Sequence, residues 1–124
     1  MVEIMRRGEI WVARLNPNVG AEAGKVRPVL ILLDDALLAT GMSPILCVPL
    51  TSMFFKDLAA LRVEILPRDR LLKTCYVMPE QLRALDRNRF GDGPLTTLTL
   101  TEMSNVERVL LACCGLANYL NPIH

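Results

Sequence analysis

The sequence lacks the residues from which protein metal sites are usually built. Its 124 residues include one histidine, His124, and four cysteines, none of them in the Cys-x-x-Cys spacing typical of zinc sites. Cys113 and Cys114 are adjacent, so on a helix their side chains diverge by roughly 100° and cannot easily share a metal. The sequence therefore predicts no metal site, no cofactor, and free thiols in a reducing cytosol.

The sequence also lacks a strong net charge and any long hydrophobic run. The formal net charge of +1 argues against a protein drawn to nucleic acid by its overall field, although local basic clusters occur. No apolar run approaches the roughly 18 residues of a membrane span. The N-terminus carries Glu3, Arg6 and Arg7 rather than the apolar segment of a signal peptide. We therefore expect a cytoplasmic protein with no membrane partner.

Aromatic residues are scarce, at 5%, whereas hydrophobic residues reach 52%. This apolar content suffices for one core, and the length predicts a single domain over residues 1–124 without linker or repeat. The mean hydropathy of +0.32 is high for a soluble monomer. We therefore expect a partner to cover apolar surface, most simply a second copy of the chain in a homodimer.

Strand signals dominate most of the chain, as short apolar runs separated by turn residues. Five segments show this pattern: 8–17, 26–33, 43–53, 61–66 and 74–86. Residues 61–66 alternate apolar and charged side chains, which predicts a half-buried antiparallel strand. Pro49 favours an edge position or a bulge for the third segment. Residues 87–94, with two glycines and a proline, indicate a loop.

The C-terminal part changes to a helical period. Thr99 followed by Glu102 predicts a capping box, and apolar residues then recur every three or four positions. This stripe comprises Met103, Val106, Leu110, Cys113, Ala117 and Leu120. We expect an amphipathic helix over about residues 100–119 that packs on the sheet. The sequence thus predicts a mainly β fold with α (α+β), a small and strongly curved antiparallel sheet or barrel closed by this helix.

Basic residues are clustered although the net charge is small. The clusters are Arg6 and Arg7; Lys25 and Arg27; Arg68, Arg70 and Lys73; and Arg83, Arg87 and Arg89. A solvated surface is the ordinary interpretation of any one cluster. The cluster at Arg27 immediately precedes an apolar strand and has Glu22 nearby, so its arginine stands at the edge of the core. Such a position suits either a charged surface loop or a site that handles phosphate.

Three segments in matching order and spacing carry a family resemblance. The first contains Arg7-Gly8-Glu9, Asn16-Pro17, Gly20-Ala21-Glu22 and Arg27-Pro28, the second is CVPLTS at residues 47–52, and the third is PEQLRALDRNRF at residues 79–90. Together they resemble the MazF/PemK (Kid) family of bacterial type II toxin–antitoxin toxins. The resemblance implies an SH3-like barrel of the CcdB/PemK type with a C-terminal helix, working as a homodimer. Ala21 and Met53 depart from the usual polar residues, and Met53 puts any transfer of sequence preference in doubt.

The resemblance implies a toxin that cleaves single-stranded RNA (mRNA) at short sequences and is neutralised by a cognate antitoxin. The RNA's own 2′-hydroxyl would attack the adjacent phosphate and leave a 2′,3′-cyclic phosphate, without a metal. In this frame Arg27 would stabilise the phosphorane, Thr51 would donate its hydroxyl or orient the 2′-hydroxyl, and Glu22 would accept a proton or hold Arg27. The expected RNA-binding residues are Lys25, Ser52, Phe54, Gln81, Arg83 and Arg87.

Alternatives stay open on the sequence. Arg83 and Arg87 could pair with Glu80 and Asp86 as ordinary surface. CcdB, a gyrase poison, shares the implied fold, so the chain could bind gyrase rather than cut RNA. A non-catalytic binding or autoregulatory module is the third possibility. The joint presence of the three candidate catalytic residues favours the nuclease.

Overall fold

The computed structural model describes residues 4–15 and 26–119, so Glu22 and Lys25, two expected site residues, lie outside the described residues. Seven strands are present there: β1 (Glu9–Arg14), β2 (Val26–Ile31), β3 (Ile45–Thr51), β4 (Val63–Ile65), β5 (Cys75–Val77), β6 (Arg83–Leu85) and β7 (Phe90–Thr97). The two α-helices are α1 (Asp35–Ala39) and α2 (Leu100–Cys113). Among the described residues, no helix is long and apolar enough to cross a membrane.

The strands form one curled antiparallel sheet. Its order is β4-β5-β3-β2-β1-β7, and β6 pairs with β3 along the same side as β5. The chain after β4 makes a tight turn at Arg68–Leu71 that reaches β7, where the Arg70 amide donates to the Leu95 carbonyl at 2.9 Å. This hydrogen bond joins the two ends of the sheet and curls it into a partly closed barrel, as the sequence predicted.

Two apolar cores lie on opposite faces of the central strands. Because successive strand residues point to opposite faces, β2 contributes Leu30 to one core and Val29 and Ile31 to the other, all three fully buried. Helix α2 covers the first core with Met103 and Val106. The second core is completed by residues of β1, β3, β6 and α1. The strands next to the candidate site are therefore held rigidly from both sides.

Helix α2 begins as predicted and ends earlier. The Thr99 hydroxyl accepts from the Glu102 amide at 3.1 Å, and the Glu102 carboxylate accepts from the Thr99 amide at 2.9 Å, which is the expected capping box. The predicted extension to residue 119 is wrong, because Gly115 takes a left-handed conformation with φ +76° and ends the helix. Cys113 and Ala117 are consequently exposed rather than part of the packed stripe.

The loop predicted over residues 87–94 is wrong in its larger part, because β7 starts at Phe90. This strand pairs with β1, with an irregular register between Ile10 and Val12. A Cβ on Gly93 would lie 2.2 Å from an indole carbon of Trp11, so the glycine lets the Trp11 ring lie against the strand. Packing against Trp11 thus explains a glycine that looks like a loop signal in the sequence.

The edge position predicted from Pro49 is also wrong, because β3 has neighbours on both sides. Pro49 stands opposite Val29 of β2, and its carbonyl accepts from the Met78 amide at 3.0 Å. On the other side, β3 pairs with β6 through residues 45–47 and with β5 through residues 50–51. Pro49 therefore falls in the interval between two partner strands, where a missing N–H costs the sheet little.

Candidate active site

A cavity of about 460 Å³ opens where β2 begins and β3 ends. Its polar lining combines three cations with two hydroxyls: Arg27, Arg70, Lys73, Thr51 and Ser52. Among the described residues, no carboxylate lines it, so the local charge is strongly positive although the chain as a whole carries only +1. The remaining walls are mainly apolar. A cationic groove of this size suits an anionic ligand with apolar parts.

The sheet register brings Arg27 and Thr51 to the same cavity. Val29 stands opposite Pro49 in the antiparallel pair of β2 and β3, and the same register continued by two residues sets Arg27 opposite Thr51. Directly opposite residues of antiparallel strands have Cβ atoms about 4.5–5.5 Å apart. Both residues are half-buried and line the cavity. The two leading sequence candidates are thus brought together by the fold.

The Thr51 side chain also ends strand β3. Its hydroxyl oxygen accepts a hydrogen bond from the Met53 amide at 3.1 Å, which forms a turn immediately after the strand. A hydroxyl is both an acceptor and a donor, so this contact fixes the oxygen and leaves the hydroxyl proton to be donated. Thr51 can therefore donate to an anion in the cavity without giving up its structural contact.

Arg27 is placed to use its full charge on a ligand. Within residues 4–15 and 26–119, four ion pairs form, and Arg27 takes part in none of them. The apolar side chains of Val26, Leu50 and Leu71 line the same cavity, and an apolar wall strengthens the attraction between a guanidinium and an anion. The arrangement suits the stabilisation of charge that develops on a phosphate.

An aromatic pair stands beside Thr51. Tyr76 of β5 is the direct cross-strand partner of Thr51. The Phe54 ring, whose residue is 50% exposed, lies 5.0 Å from the Tyr76 ring with the planes inclined at 44°. Exposed aromatic faces are the usual platforms for the bases of single-stranded nucleic acid. Phe54 and Tyr76 therefore offer such a platform next to the two candidate catalytic residues.

The remaining expected RNA-binding residues do not line the cavity, and their side chains make internal contacts. Arg83 donates to the Leu15 carbonyl at 2.8 Å. Arg87 donates to the carbonyls of Leu38 and Met42 at 3.0 and 3.1 Å, which tie down the chain after α1. The exposed Gln81 contacts the sulfur of its neighbour Met78.

The alternative in which Arg83 and Arg87 form surface ion pairs is not found either. Glu80 pairs instead with Arg62 at 2.8 Å, and among the described residues Asp86 forms no ion pair. Both arginines are bound mainly to backbone carbonyls, so they help hold the fold around β6 in place.

Sequence reasoning missed Tyr76, Arg70 and Lys73 as cavity residues or neighbours. The two cations belong to a basic cluster that is visible in the sequence, but nothing local distinguishes that cluster from a solvated surface. Tyr76 sits in a predicted strand segment, and only its pairing with Thr51 brings it to the site. The missing information in both cases is which distant segments become neighbours in the sheet.

Comparison with known proteins identifies the family of the chain. The family model described as PemK-like, MazF-like toxin of type II toxin-antitoxin system matches residues 6–113. The chain belongs to this PemK/MazF toxin family. A curated relative, Endoribonuclease MazF of Staphylococcus epidermidis, is 33% identical over 118 residues, which cover 94% of this chain and 96% of the relative.

Solved structures agree with the PemK/MazF assignment at the level of the fold. A MazE–MazF complex from Deinococcus radiodurans matches with a TM-score of 0.76 at 21% identity, over 93% of this chain and 99% of that chain. MazF alone from the same organism matches with a TM-score of 0.74 at 22% identity, over 92% and 99%. The family resemblance and the curled barrel with its C-terminal helix, both predicted from the sequence, are confirmed.

Proposed function

We propose that this PemK/MazF toxin is an endoribonuclease that cleaves single-stranded RNA in the cavity beside β2 and β3. The observation that carries the proposal is that Arg27 and Thr51, far apart in the sequence, line the same cationic cavity. The relative that is 33% identical is itself named an endoribonuclease, which supports this activity over gyrase binding or a non-catalytic module.

The proposed reaction is an internal transfer of the phosphoryl group. The 2′-hydroxyl attacks the adjacent phosphorus, a P–O2′ bond forms, and the P–O5′ bond breaks. The 2′-hydroxyl proton passes to a base, the departing 5′-oxygen takes up a proton, and the products are a 2′,3′-cyclic phosphate and a 5′-hydroxyl end. Every bond that forms or breaks belongs to the RNA or to a transferred proton, so the proposal needs no metal or cofactor.

Arg27 and Thr51 stabilise the charge that builds up on the phosphorane. Arg27 presents a planar fork of donors that matches two phosphate oxygens and stays charged at every relevant pH. Thr51 donates its hydroxyl proton to the same phosphate while its oxygen is held by the Met53 amide. Donors aimed at developing charge are typically worth about a hundred- to thousandfold in rate each.

The other expected residues take supporting roles in this proposal. Glu22 accepts the 2′-hydroxyl proton or holds Arg27, and Lys25 and Ser52 contact phosphates next to the cleaved one. Phe54 stacks on a flanking base together with Tyr76. Gln81, Arg83 and Arg87 contact more distant RNA with the donors that their internal hydrogen bonds leave available.

The partners proposed for this toxin are a second copy of the chain and a cognate antitoxin, in the cytoplasm. Solved relatives include a mycobacterial endoribonuclease in complex with its cognate antitoxin. The cationic cavity with apolar walls would accept an acidic segment with apolar side chains. An antitoxin tail of that kind would occupy the place of the RNA and block Arg27.

A cleavage assay tests the proposal. Purified protein is incubated with a pool of single-stranded RNA in EDTA, and the new 3′ ends are mapped and analysed chemically. We expect cleavage that leaves 2′,3′-cyclic phosphate, lost in Arg27→Ala and strongly reduced in Thr51→Val. The exposed Arg108 on α2 provides the matched control, Arg108→Ala, which should cleave normally. RNA left intact by the wild type, or cut equally well by Arg27→Ala, overturns the proposal.

A further inference from the structure

We propose that Arg70 and Lys73 form a second phosphate subsite, which binds a phosphate flanking the one that is cleaved. The inference rests on the proposed RNA cleavage and extends it with two residues that take no part in the chemistry. It makes these cations determinants of substrate affinity and of the number of nucleotides the site holds.

The charge in the cavity exceeds what one phosphodiester requires. Arg27 alone offers a fork that satisfies the oxygens of a single phosphate, which carries one negative charge. Arg70 and Lys73 line the same cavity from a different segment, the chain between β4 and β5. Three cations in one groove, with no carboxylate among the described lining residues, match a polyanion with several phosphates.

The segment that carries Arg70 is fixed before any ligand binds. The turn Arg68–Leu71 is closed by two backbone hydrogen bonds of 3.0 and 2.8 Å and is docked on β7 through the Arg70 amide. The neighbouring Arg68 makes two hydrogen bonds of 2.7 and 2.6 Å to Glu102 of α2. The Asp69 carboxylate accepts from the Thr96 hydroxyl at 2.6 Å. A phosphate subsite on this turn therefore loses little backbone freedom when RNA binds.

The Arg70 side chain is oriented and still has donors to offer. Its Nη2 pairs with the Asp92 carboxylate, and its Nη1 lies 3.4 Å from the Pro94 carbonyl. A guanidinium has five N–H donors, so three remain for a phosphate. Because Asp92 balances part of the charge, Arg70 suits the binding of a phosphate rather than the stabilisation of a phosphorane. The side chain of Lys73 makes no hydrogen bond within the described residues and adds a mobile point charge.

Single-phosphate substitution on the substrate gives the sharpest test. The substrate is an oligodeoxynucleotide with one ribonucleotide at a cleavage site mapped beforehand. Each neighbouring phosphate is replaced in turn by an uncharged methylphosphonate. In Arg70→Ala and Lys73→Ala we expect KM to rise about tenfold with little change in kcat, and Arg108→Ala to match the wild type. One methylphosphonate position should weaken the wild type and leave the two variants unaffected.

Binding measured without cleavage separates this inference from the proposed function. The dissociation constant of an all-deoxy oligonucleotide is measured against salt, and we expect the log–log slope to fall by about 0.7 in each variant for the one phosphate lost. A slope and a KM unchanged from the wild type overturn the inference even if RNA is cleaved. Lys73→Ala is decisive should Arg70→Ala fold poorly, because its side chain supports no described contact.

Discussion

The contact between Glu102 of α2 and Arg68 yields a quantitative prediction about stability. Two hydrogen bonds of 2.7 and 2.6 Å join the side chains, which are only 28% and 21% exposed. Hydrogen bonds to charged groups contribute about 1.5–3 kcal/mol, whereas exposed ion pairs contribute about 0–1 kcal/mol. For Glu102→Gln, which keeps a capping oxygen, we expect a loss of about 2 kcal/mol in the free energy of unfolding.

The pH dependence of this loss follows from the pKa of Glu102. The hydrogen bonds from Arg68, with help from the Thr99 amide, hold the pKa of the Glu102 carboxyl below its usual range, although its partial burial opposes them. A folded-state pKa below the unfolded value of about 4.3 stabilises the protein above that pH. This stability is lost as the pH falls through the folded-state pKa, so the difference between wild type and Glu102→Gln must shrink in acid.

Urea unfolding at fixed protein concentration, at pH 7 and in steps down to the acid limit of the fold, measures both effects. Glu107→Gln is the matched control on the same helix, because the Glu107 pair with Arg7 is more exposed, at 41% and 33%, and should cost at most about 1 kcal/mol. The reasoning is refuted if Glu102→Gln costs no more than Glu107→Gln, or if its cost is the same at every pH.

Three further predictions concern the core. Gly93→Ala should cost about 1–3 kcal/mol, since its Cβ would overlap the neighbouring indole, while Gly91→Ala, with nothing within 4 Å, should unfold nearly normally; equal melting temperatures would contradict this. Val106→Ala should cost about 2 kcal/mol in urea because the side chain is fully buried, and a loss near zero would contradict the packing of α2. Burial raises the pKa of the Cys47 thiol to about 12, so mass spectrometry after iodoacetamide at pH 8 should find Cys47 unmodified and the exposed Cys113 alkylated.

The sequence predicted the elements whose signals are local. The alternating residues of β4, the apolar runs of β2 and β3, and the Thr99–Glu102 capping box each depend on neighbours a few positions away, and all appear in the structure. The family motifs around Arg27 and Thr51 identified the toxin family. The relative position of those two residues follows from the register of β2 with β3.

The elements that sequence analysis missed depend on distant contacts. Strand β7 contains Gly93 and a proline, which signal a loop, and it forms because it pairs with β1 and packs on Trp11. Arg70 reaches the candidate site only because its turn docks on β7. Tyr76 does so only through its pairing with Thr51. A pattern read along the chain carries no information about such pairings.

A double-mutant cycle tests the central claim, that Arg27 and Thr51 act together on one phosphate. Single-turnover cleavage rates of a mapped RNA site are compared for wild type, Arg27→Ala, Thr51→Val and the double variant. Residues that share one transition state are strongly non-additive. We therefore predict that the double variant is hardly slower than Arg27→Ala, which itself is slower than wild type by about a hundred- to thousandfold. Rate losses that simply multiply, or a wild-type rate in Arg27→Ala, would contradict the account.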